Sequence, residues 1–311
     1  MPLDPQAKAL LDMMKSTGAP PFSALSPAAA RKQMNDMRAL RAGEPAAVAN
    51  VEDRKIPGPA GSIPVRIYTP AGKGPFPVLV FYHGGGWVIG DLESHDGLCR
   101  SLTNAAGCVT VAVDYRLAPE AKFPAAVDDC YAATRWVSEN AAKLNADPNR
   151  LAVGGDSAGG NLSAVISIMA RDNKTPKIAF QLLIYPGTDM TCSAPSHKTN
   201  TEYVLTPDDM VWFIGHYLRS DADRRNPLAS PSFTASFKGL PPALIITAEL
   251  DPLRDEAEDY GQKLREAGVP VQVSRYEGMV HGFVSMADLL DKGKQGVAEA
   301  AAALKKAFGR G

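Results

Sequence analysis

Leu151-Ala-Val-Gly-Gly-Asp-Ser-Ala-Gly-Gly-Asn161 is the stretch from which the rest of the chain can be read. Residues 151–153 form a short apolar run of the kind that ends a buried strand. From Ala158 onward, Asn161-Leu-Ser-Ala-Val-Ile-Ser-Ile-Met-Ala170 reads as a helix. Between them, Gly155-Asp-Ser-Ala-Gly159 matches G-x-S-x-G in a strand–turn–helix setting, the pattern of a nucleophile elbow. So sharp a turn strains the backbone at the serine and crowds the positions two before and two after it, which calls for glycine at both. Ser157 is then expected at the sheet edge, hydroxyl free, with a helix N-terminus behind it. At ordinary Gly and Ser frequencies a bare G-x-S-x-G arises by chance in about one chain in ten of this length. Its partners elsewhere must decide whether the turn does chemistry.

Working outward, further apolar runs lie at 78–82, 109–115, 178–185, 243–248 and 271–276, continuous as in strands buried on both faces. Helical patterns separate most of them: 125–142 carries Val127, Tyr131, Trp136 and Val137 on one face, and 297–308 closes the chain as a helix. Asp147-Pro148-Asn149 reads as a turn. Two alternating segments, 51–56 and 63–68, flank a turn over 57–62 and predict an antiparallel hairpin at the sheet edge. This alternation predicts an α/β fold, a mostly parallel central sheet flanked by helices on both faces. With 311 residues, 45% of them hydrophobic, the chain can fill one large core.

Two regions depart from the alternation. Residues 1–50 hold two predicted helices, one with Ala7, Leu10, Leu11 and Met14 on its apolar face, the other opened by Ser26-Pro27 and ending near Gly43. Residues 187–240 contain no buried strand, only a helix over 208–218 bearing Met210, Phe213, Ile214 and Tyr217. The expected organisation is an N-terminal arm (1–50), a first catalytic part (51–186), a cap insertion (187–240) and a second catalytic part (241–311). Arm and insertion together would cover the C-terminal edge of the sheet, where open α/β sheets bind ligands. Met13, Met14, Trp212 and Phe213 are expected either to line a cavity there or to pack the cap's own core.

The formal net charge of −1 gives no electrostatic basis for nucleic-acid or anionic-membrane binding. No apolar run approaches the ~18 residues of a membrane span. The N-terminus lacks the basic and apolar segments of a signal peptide. Cys99, Cys108, Cys130 and Cys192 are scattered with no histidine at metal spacing, which predicts buried free thiols in a reducing compartment, no metal site and a cytoplasmic protein.

Acyl transfer needs a nucleophile, a base, a group that orients the base, and donors for the oxyanion. His83-Gly-Gly-Gly-Trp87 follows the first buried run, and consecutive glycines let backbone amides approach a substrate oxygen in the H-G-G-G manner. The amide of Ala158, after the nucleophile, would be the remaining donor. Of five histidines, His83 belongs to the glycine turn and suits a loop-orienting part, His95 and His197 sit in polar stretches, and His216 lies in the predicted cap helix. His281 follows the last strand and completes the chain order Ser, acid, His. For the acid, Asp251 stands at a strand mouth ahead of Pro252. It is preferred to Glu249 and to Asp255, which suits a helix N-terminus, although Asp251 could also serve as a cap.

With these motifs on the page, together with Tyr115-Arg-Leu-Ala-Pro-Glu120, Gly155-Asp-Ser-Ala-Gly-Gly160, Asp251-Pro-Leu-Arg-Asp255 and His281-Gly-Phe283, the chain resembles the hormone-sensitive-lipase-like, or bacterial family IV, esterases of the α/β-hydrolase superfamily. The resemblance spans residue 51 to the C-terminus. It implies a Ser157–Asp251–His281 triad and an oxyanion hole of Gly85, Gly86 and Ala158, with the part of Gly84 left open. It further implies a helical cap, no cofactor, a small-molecule ester as substrate, and a homodimer as the expected assembly. The competing expectations are an amide or carbamate hydrolase or deacetylase with the same triad, a lipase for long-chain fat, and a non-catalytic small-molecule receptor.

Overall fold

Continuous apolar runs can be satisfied only where both faces of a strand are covered, and this requirement builds the fold. A computed structural model describes residues 2–41 and 45–309. The arm supplies α1 (Pro5–Ser16) and α2 (Pro27–Arg41), then a hairpin of β1 (Asn50–Gly58) and β2 (Gly61–Thr69). There follow β3 (Phe76–Tyr82), α3 (Asp96–Ala106), β4 (Val109–Val113), α4 (Ala125–Glu139), β5 (Ala146–Asp156) and α5 (Ala158–Asp172). After β6 (Phe180–Ile184) the insertion carries α6 (Ser196–Thr199) and α7 (Pro207–Tyr217). The chain ends through β7 (Ala243–Leu250), α8 (Arg254–Glu266), β8 (Val271–Val280) and α9 (Asp291–Ala307).

The eight strands form one sheet in the order β1-β2-β4-β3-β5-β6-β7-β8, antiparallel from β1 to β4 and parallel across the rest. Alternate side chains of the parallel strands enter opposite cores. Leu79, Phe81, Ala152 and Ile246 pack with Leu102 of α3 and Leu304 of α9, while Val78, Val80 and Val153 pack with Val127 of α4 and Val165 of α5. Ile245 and Leu183 join Tyr260 and Leu264 of α8 beside α5. Each fully buried Val, Leu, Ile or Phe contributes about 1.5–3 kcal/mol relative to its exposed state. This two-sided burial holds the C-terminal strand ends, and the turns they feed, in fixed places.

The predicted fold class and hairpin agree with this architecture, and the differences are local. Residues 271–276, read as buried on both faces, form instead the partly exposed edge strand β8, whose Val271, Val273 and Tyr276 pack on one side or the other while Gln272 and Arg275 are exposed. The hairpin turn is only Pro59–Ala60, because both strands continue through 57 and 62 with Gly58 opposite Gly61. Residues 147–149 are not a free turn. They bulge inside β5, where Phe76 pairs with Ala146 and Val78 already pairs with Leu151. α9 starts at Asp291, before the apolar spacing that marks it in the sequence, and α3 had no separate prediction. Gly43, the expected end of α2, lies outside the described residues. Among the described residues no helix is long and apolar enough to cross a membrane. None of the four cysteines forms a disulfide among the described residues; Cys99, Cys108 and Cys130 are buried as expected, whereas Cys192 is partly exposed.

Helix α7 of the insertion begins with a reciprocal capping box: Thr206 Oγ1 accepts the Asp209 amide, and the Asp209 carboxylate accepts the Thr206 amide. Asp209 Oδ1 also accepts the Ser23 amide, and Trp212 Nε1 donates to Leu25 O, so the arm is bonded to the insertion. Of the four apolar residues considered for a cavity lining, Phe213 is buried, Trp212 and Met14 are partly buried, and Met13 is exposed.

Candidate active site

β5 drives into its turn so abruptly that Ser157 adopts φ 55° and ψ −117°, a region L-residues avoid. The crowding falls where the motif places its glycines. A Cβ on Gly159 would lie 1.8 Å from Tyr82 O, and one on Gly155 2.3 Å from the same atom. The strain aims the Ser157 hydroxyl away from β5 and leaves the first amide of α5, that of Ala158, beside it.

His281 follows immediately on β8, and Asp251 immediately on β7. Neighbouring parallel strands therefore deliver both side chains to the edge that carries Ser157. Ser157 Oγ lies 2.9 Å from His281 Nε2, and His281 Nδ1 lies 2.7 Å from Asp251 Oδ2. A carboxylate only accepts, so Nδ1 carries the ring hydrogen and, in the neutral ring, Nε2 is free to accept from the serine hydroxyl. Asp251 is fully buried, and its second oxygen accepts the Leu253 amide at 2.9 Å. Cap and orienting partner, the two alternatives for this residue, are thus combined in one carboxylate. Glu249 instead accepts the Gly278 amide, and Asp255 accepts the Ser196 amide.

The glycine turn is held by the ends of its peptide planes. Tyr115 Oη donates to His83 O at 2.7 Å, and the Gly84 amide donates to Asp156 Oδ1 at 3.0 Å; both belong to the His83–Gly84 peptide. His83 Nδ1 donates to Gly84 O at 2.8 Å, which fixes the next plane and hence the direction of the Gly85 N–H. Burial, helped by the neighbouring His95, pushes the His83 imidazole down to about 4, so it stays neutral with its hydrogen on Nδ1. Gly86 sits at φ 57° against α7: a Cβ there would fall 2.2 Å from the Phe213 ring. Among the described residues no acceptor takes the amide N–H of Gly85, Gly86 or Ala158, whereas the Gly84 amide donates to Asp156 Oδ1 at 3.0 Å and lies 3.3 Å from His95 Nε2.

A model of the α/β-hydrolase fold family matches residues 79–285, a span that holds all of these residues. The chain belongs to the α/β-hydrolase family, in its hormone-sensitive-lipase-like branch. It is 47% identical over 268 residues to the carboxylic ester hydrolase LipN of Mycobacterium tuberculosis, covering 84% of this chain and 71% of the relative. It is 36% identical to an ethyl acetate hydrolase of Pseudomonas putida, covering 98% and 99% of the two chains. The crystallised esterase of the hyperthermophilic archaeon Pyrobaculum calidifontis superposes with a TM-score of 0.93 at 44% identity, covering 98% of this chain and 99% of that one.

In this α/β-hydrolase the insertion also fixes the acid turn, through residues to which sequence reasoning gave no part. Asn200 Nδ2 donates to Glu249 O and to Asp251 O, at 3.1 and 3.0 Å. Ser196 Oγ donates to Pro252 O and accepts the Asp255 amide. Buried His197 pairs with buried Glu256 at 2.7 Å, and Glu256 Oε1 accepts the Thr188 and Asp189 amides. Nothing in the local sequence announces these bonds, because each joins positions more than 45 residues apart. His95, also read as lying in a polar stretch, is buried against Asp156.

A cavity of about 610 Å³ opens elsewhere, between α2 and the loops after β3 and β4, lined by Arg31, Asp91, Asp114, Arg116 and Glu120 among others. Neither Ser157, Asp251 nor His281 lines it, so its size says nothing about the ester site. Burial, with the Asp91 charge nearby, pushes the Asp114 carboxyl up to about 6. A raised carboxylate pKa stabilises the fold fully below the unfolded value of 3.8 and loses that stability as pH rises through 6. Asp114→Asn is therefore expected to raise stability at pH 7 by about 1 kcal/mol, discounted for solvent screening. Thermal melts should show the gain shrinking as pH falls from 7 toward 4. A gain independent of pH would contradict this reading.

Proposed function

We propose that this α/β-hydrolase is a serine carboxylesterase hydrolysing esters of short- to medium-chain carboxylic acids through an acyl-enzyme. The observation that carries the proposal is the unbroken chain from Ser157 Oγ through His281 to buried Asp251, beside amides that have no acceptor among the described residues. Ser157 Oγ attacks the ester carbonyl carbon while His281 Nε2 takes its proton, and Asp251 stabilises the imidazolium and holds its tautomer. The amides of Gly85, Gly86 and Ala158 receive the oxyanion, each lowering the barrier by about 3 kcal/mol. His281 returns the proton to the leaving alcohol, then activates water against the acyl-enzyme by the same route.

Relatives named as ester hydrolases favour an ester over an amide, and a receptor would have no need of the triad. The bonds from Trp212 to Leu25 and from Ser23 to Asp209 support treating 1–50 and 187–240 as one cap over catalytic parts 51–186 and 241–311. Four cysteines outside any disulfide among the described residues support a reducing, cytoplasmic location. The homodimer rests on the family resemblance and is decided by the mass of the protein in solution.

The test is hydrolysis of nitrophenyl esters from acetyl to palmitoyl, with matched anilides in parallel. Turnover peaking at short to medium chains, with anilides cleaved at least a hundred-fold more slowly, is expected. Rates rising to palmitate would point to a lipase, and preference for the anilides to an amidase.

A further inference from the structure

The carboxylate next to the nucleophile takes no part in the triad, yet it is bonded to the glycine turn, to His95 and to the segment after His281. Asp156 is buried, with 4% of its surface exposed. Its Oδ1 accepts the Gly84 amide at 3.0 Å and lies 3.1 Å from His95 Nε2; its Oδ2 accepts from Ser285 Oγ at 3.2 Å. Ser285 stands four residues after His281, and its hydroxyl also lies 3.1 Å from Tyr185 Oη, whose ring centroid is 4.8 Å from that of His281. The contact with the turn is close: a Cβ on Gly84 would fall 2.6 Å from Asp156 Oδ2. His95 is itself held at its other nitrogen, 2.8 Å from Ser94 Oγ.

A buried carboxylate beside a developing oxyanion is electrostatically adverse, which calls for a reason to keep one there. Burial works to raise this carboxyl, but the His95 ring and the Gly84 amide outweigh it and hold the group below the usual carboxylate range, so it remains an acceptor at both oxygens. Such a group can draw donors from the oxyanion turn, from the loop ahead of α3 and from the His281 loop to one point.

We propose that Asp156, anchored by His95, is a positioning residue for the oxyanion turn: by holding the Gly84 amide it sets the His83–Gly84 peptide plane, and so the direction in which Gly85 and Gly86 present their amides. The proposal rests on the serine-esterase reading. It accounts for the whole turn, since the His83–Gly84 carbonyl is held by Tyr115 and the following carbonyl by His83. What matters under it is the acceptor, not the charge. In Asp156→Asn, Oδ1 can still accept from Gly84 and His95, and Nδ2 can donate to Ser285 Oγ. In Asp156→Ala this acceptor is gone, and the Gly84 amide keeps only its longer, 3.3 Å contact with His95 Nε2.

The experiment compares wild type, Asp156→Asn and Asp156→Ala on nitrophenyl butyrate, with rates normalised to sites titrated by a phosphonate. Binding of an alkyl trifluoromethyl ketone, whose adduct with the serine carries an oxyanion, is measured alongside. Asp156→Ala is expected to lose about 100-fold in kcat, the size of one lost oxyanion donor, with KM within about three-fold and ketone affinity falling in step with kcat. Asp156→Asn is expected to stay within about five-fold of wild type in both. A kcat for titrated Asp156→Ala near wild type would overturn the proposal, and so would a loss with unchanged ketone affinity. If Asp156→Ala does not fold, Asp156→Asn still decides: a 100-fold loss there would show that charge matters rather than the held peptide plane. A wild type inert toward every ester would instead overturn the esterase reading on which the proposal rests.

Discussion

Ser157→Ala is expected to lower kcat on a short-chain nitrophenyl ester by about a million-fold, as removal of a serine nucleophile from a complete triad does. The site offers no substitute. Among the described residues Ser157 Oγ is the one hydroxyl bonded to His281 Nε2, and Ser285, four residues past His281, is engaged by Asp156 and Tyr185. The fold should not register the change. Alanine carries the same Cβ into the same strained φ of 55°, and the backbone bonds at this position, from the Ser157 amide to Ile184 O and from the Asn161 amide to Ser157 O, are untouched. Initial rates beside thermal melts check both halves: turnover lost, melting temperature held within about 2 °C.

Asp251→Asn is expected to cost about ten-thousand-fold in kcat with KM little changed. Asparagine can keep its oxygen on the Leu253 amide, the bond made now by Asp251 Oδ1, and the backbone stays held through Asn200. It must then present an N–H donor to His281 Nδ1 where a carboxylate now accepts at 2.7 Å. The ring answers by moving its hydrogen to Nε2, which removes the lone pair that accepts from Ser157 Oγ. The imidazolium formed on attack also loses its counter-charge in a buried setting. Kinetics on the same ester series measure the loss, and a variant within ten-fold of wild type would show that Asp251 does not orient the base.

Much of this architecture is legible from local pattern. Five buried runs and an edge hairpin mark most of the strand set, because two-sided burial demands unbroken apolar sequence; the sixth, 271–276, is instead the partly exposed edge strand β8. Gly155 and Gly159 declare the elbow, since their Cβ positions are occupied by backbone. Thr206-Pro207 declares the start of α7 by capping chemistry. Where the sequence is silent, the cause is distance along the chain. His95 and His197 have neighbours that look like loop, and only the fold shows each of them buried against an acid from another element, Asp156 and Glu256. Asn200 carries no motif at all, yet it holds the turn that carries Asp251. Residues 147–149 mislead for a different reason: turn chemistry is real there, but β3 continues alongside and absorbs it as a bulge.

The central claim is that Ser157 carries the acyl group between two half-reactions. It is tested most directly by quenching the protein in acid during turnover of nitrophenyl acetate and locating any added group by peptide mass spectrometry. The account predicts one acetyl group on the peptide containing Ser157, in wild type and at higher occupancy when deacylation is slowed, and none in Ser157→Ala. Turnover with no acyl group on that peptide, or the same modification persisting in Ser157→Ala, would contradict it.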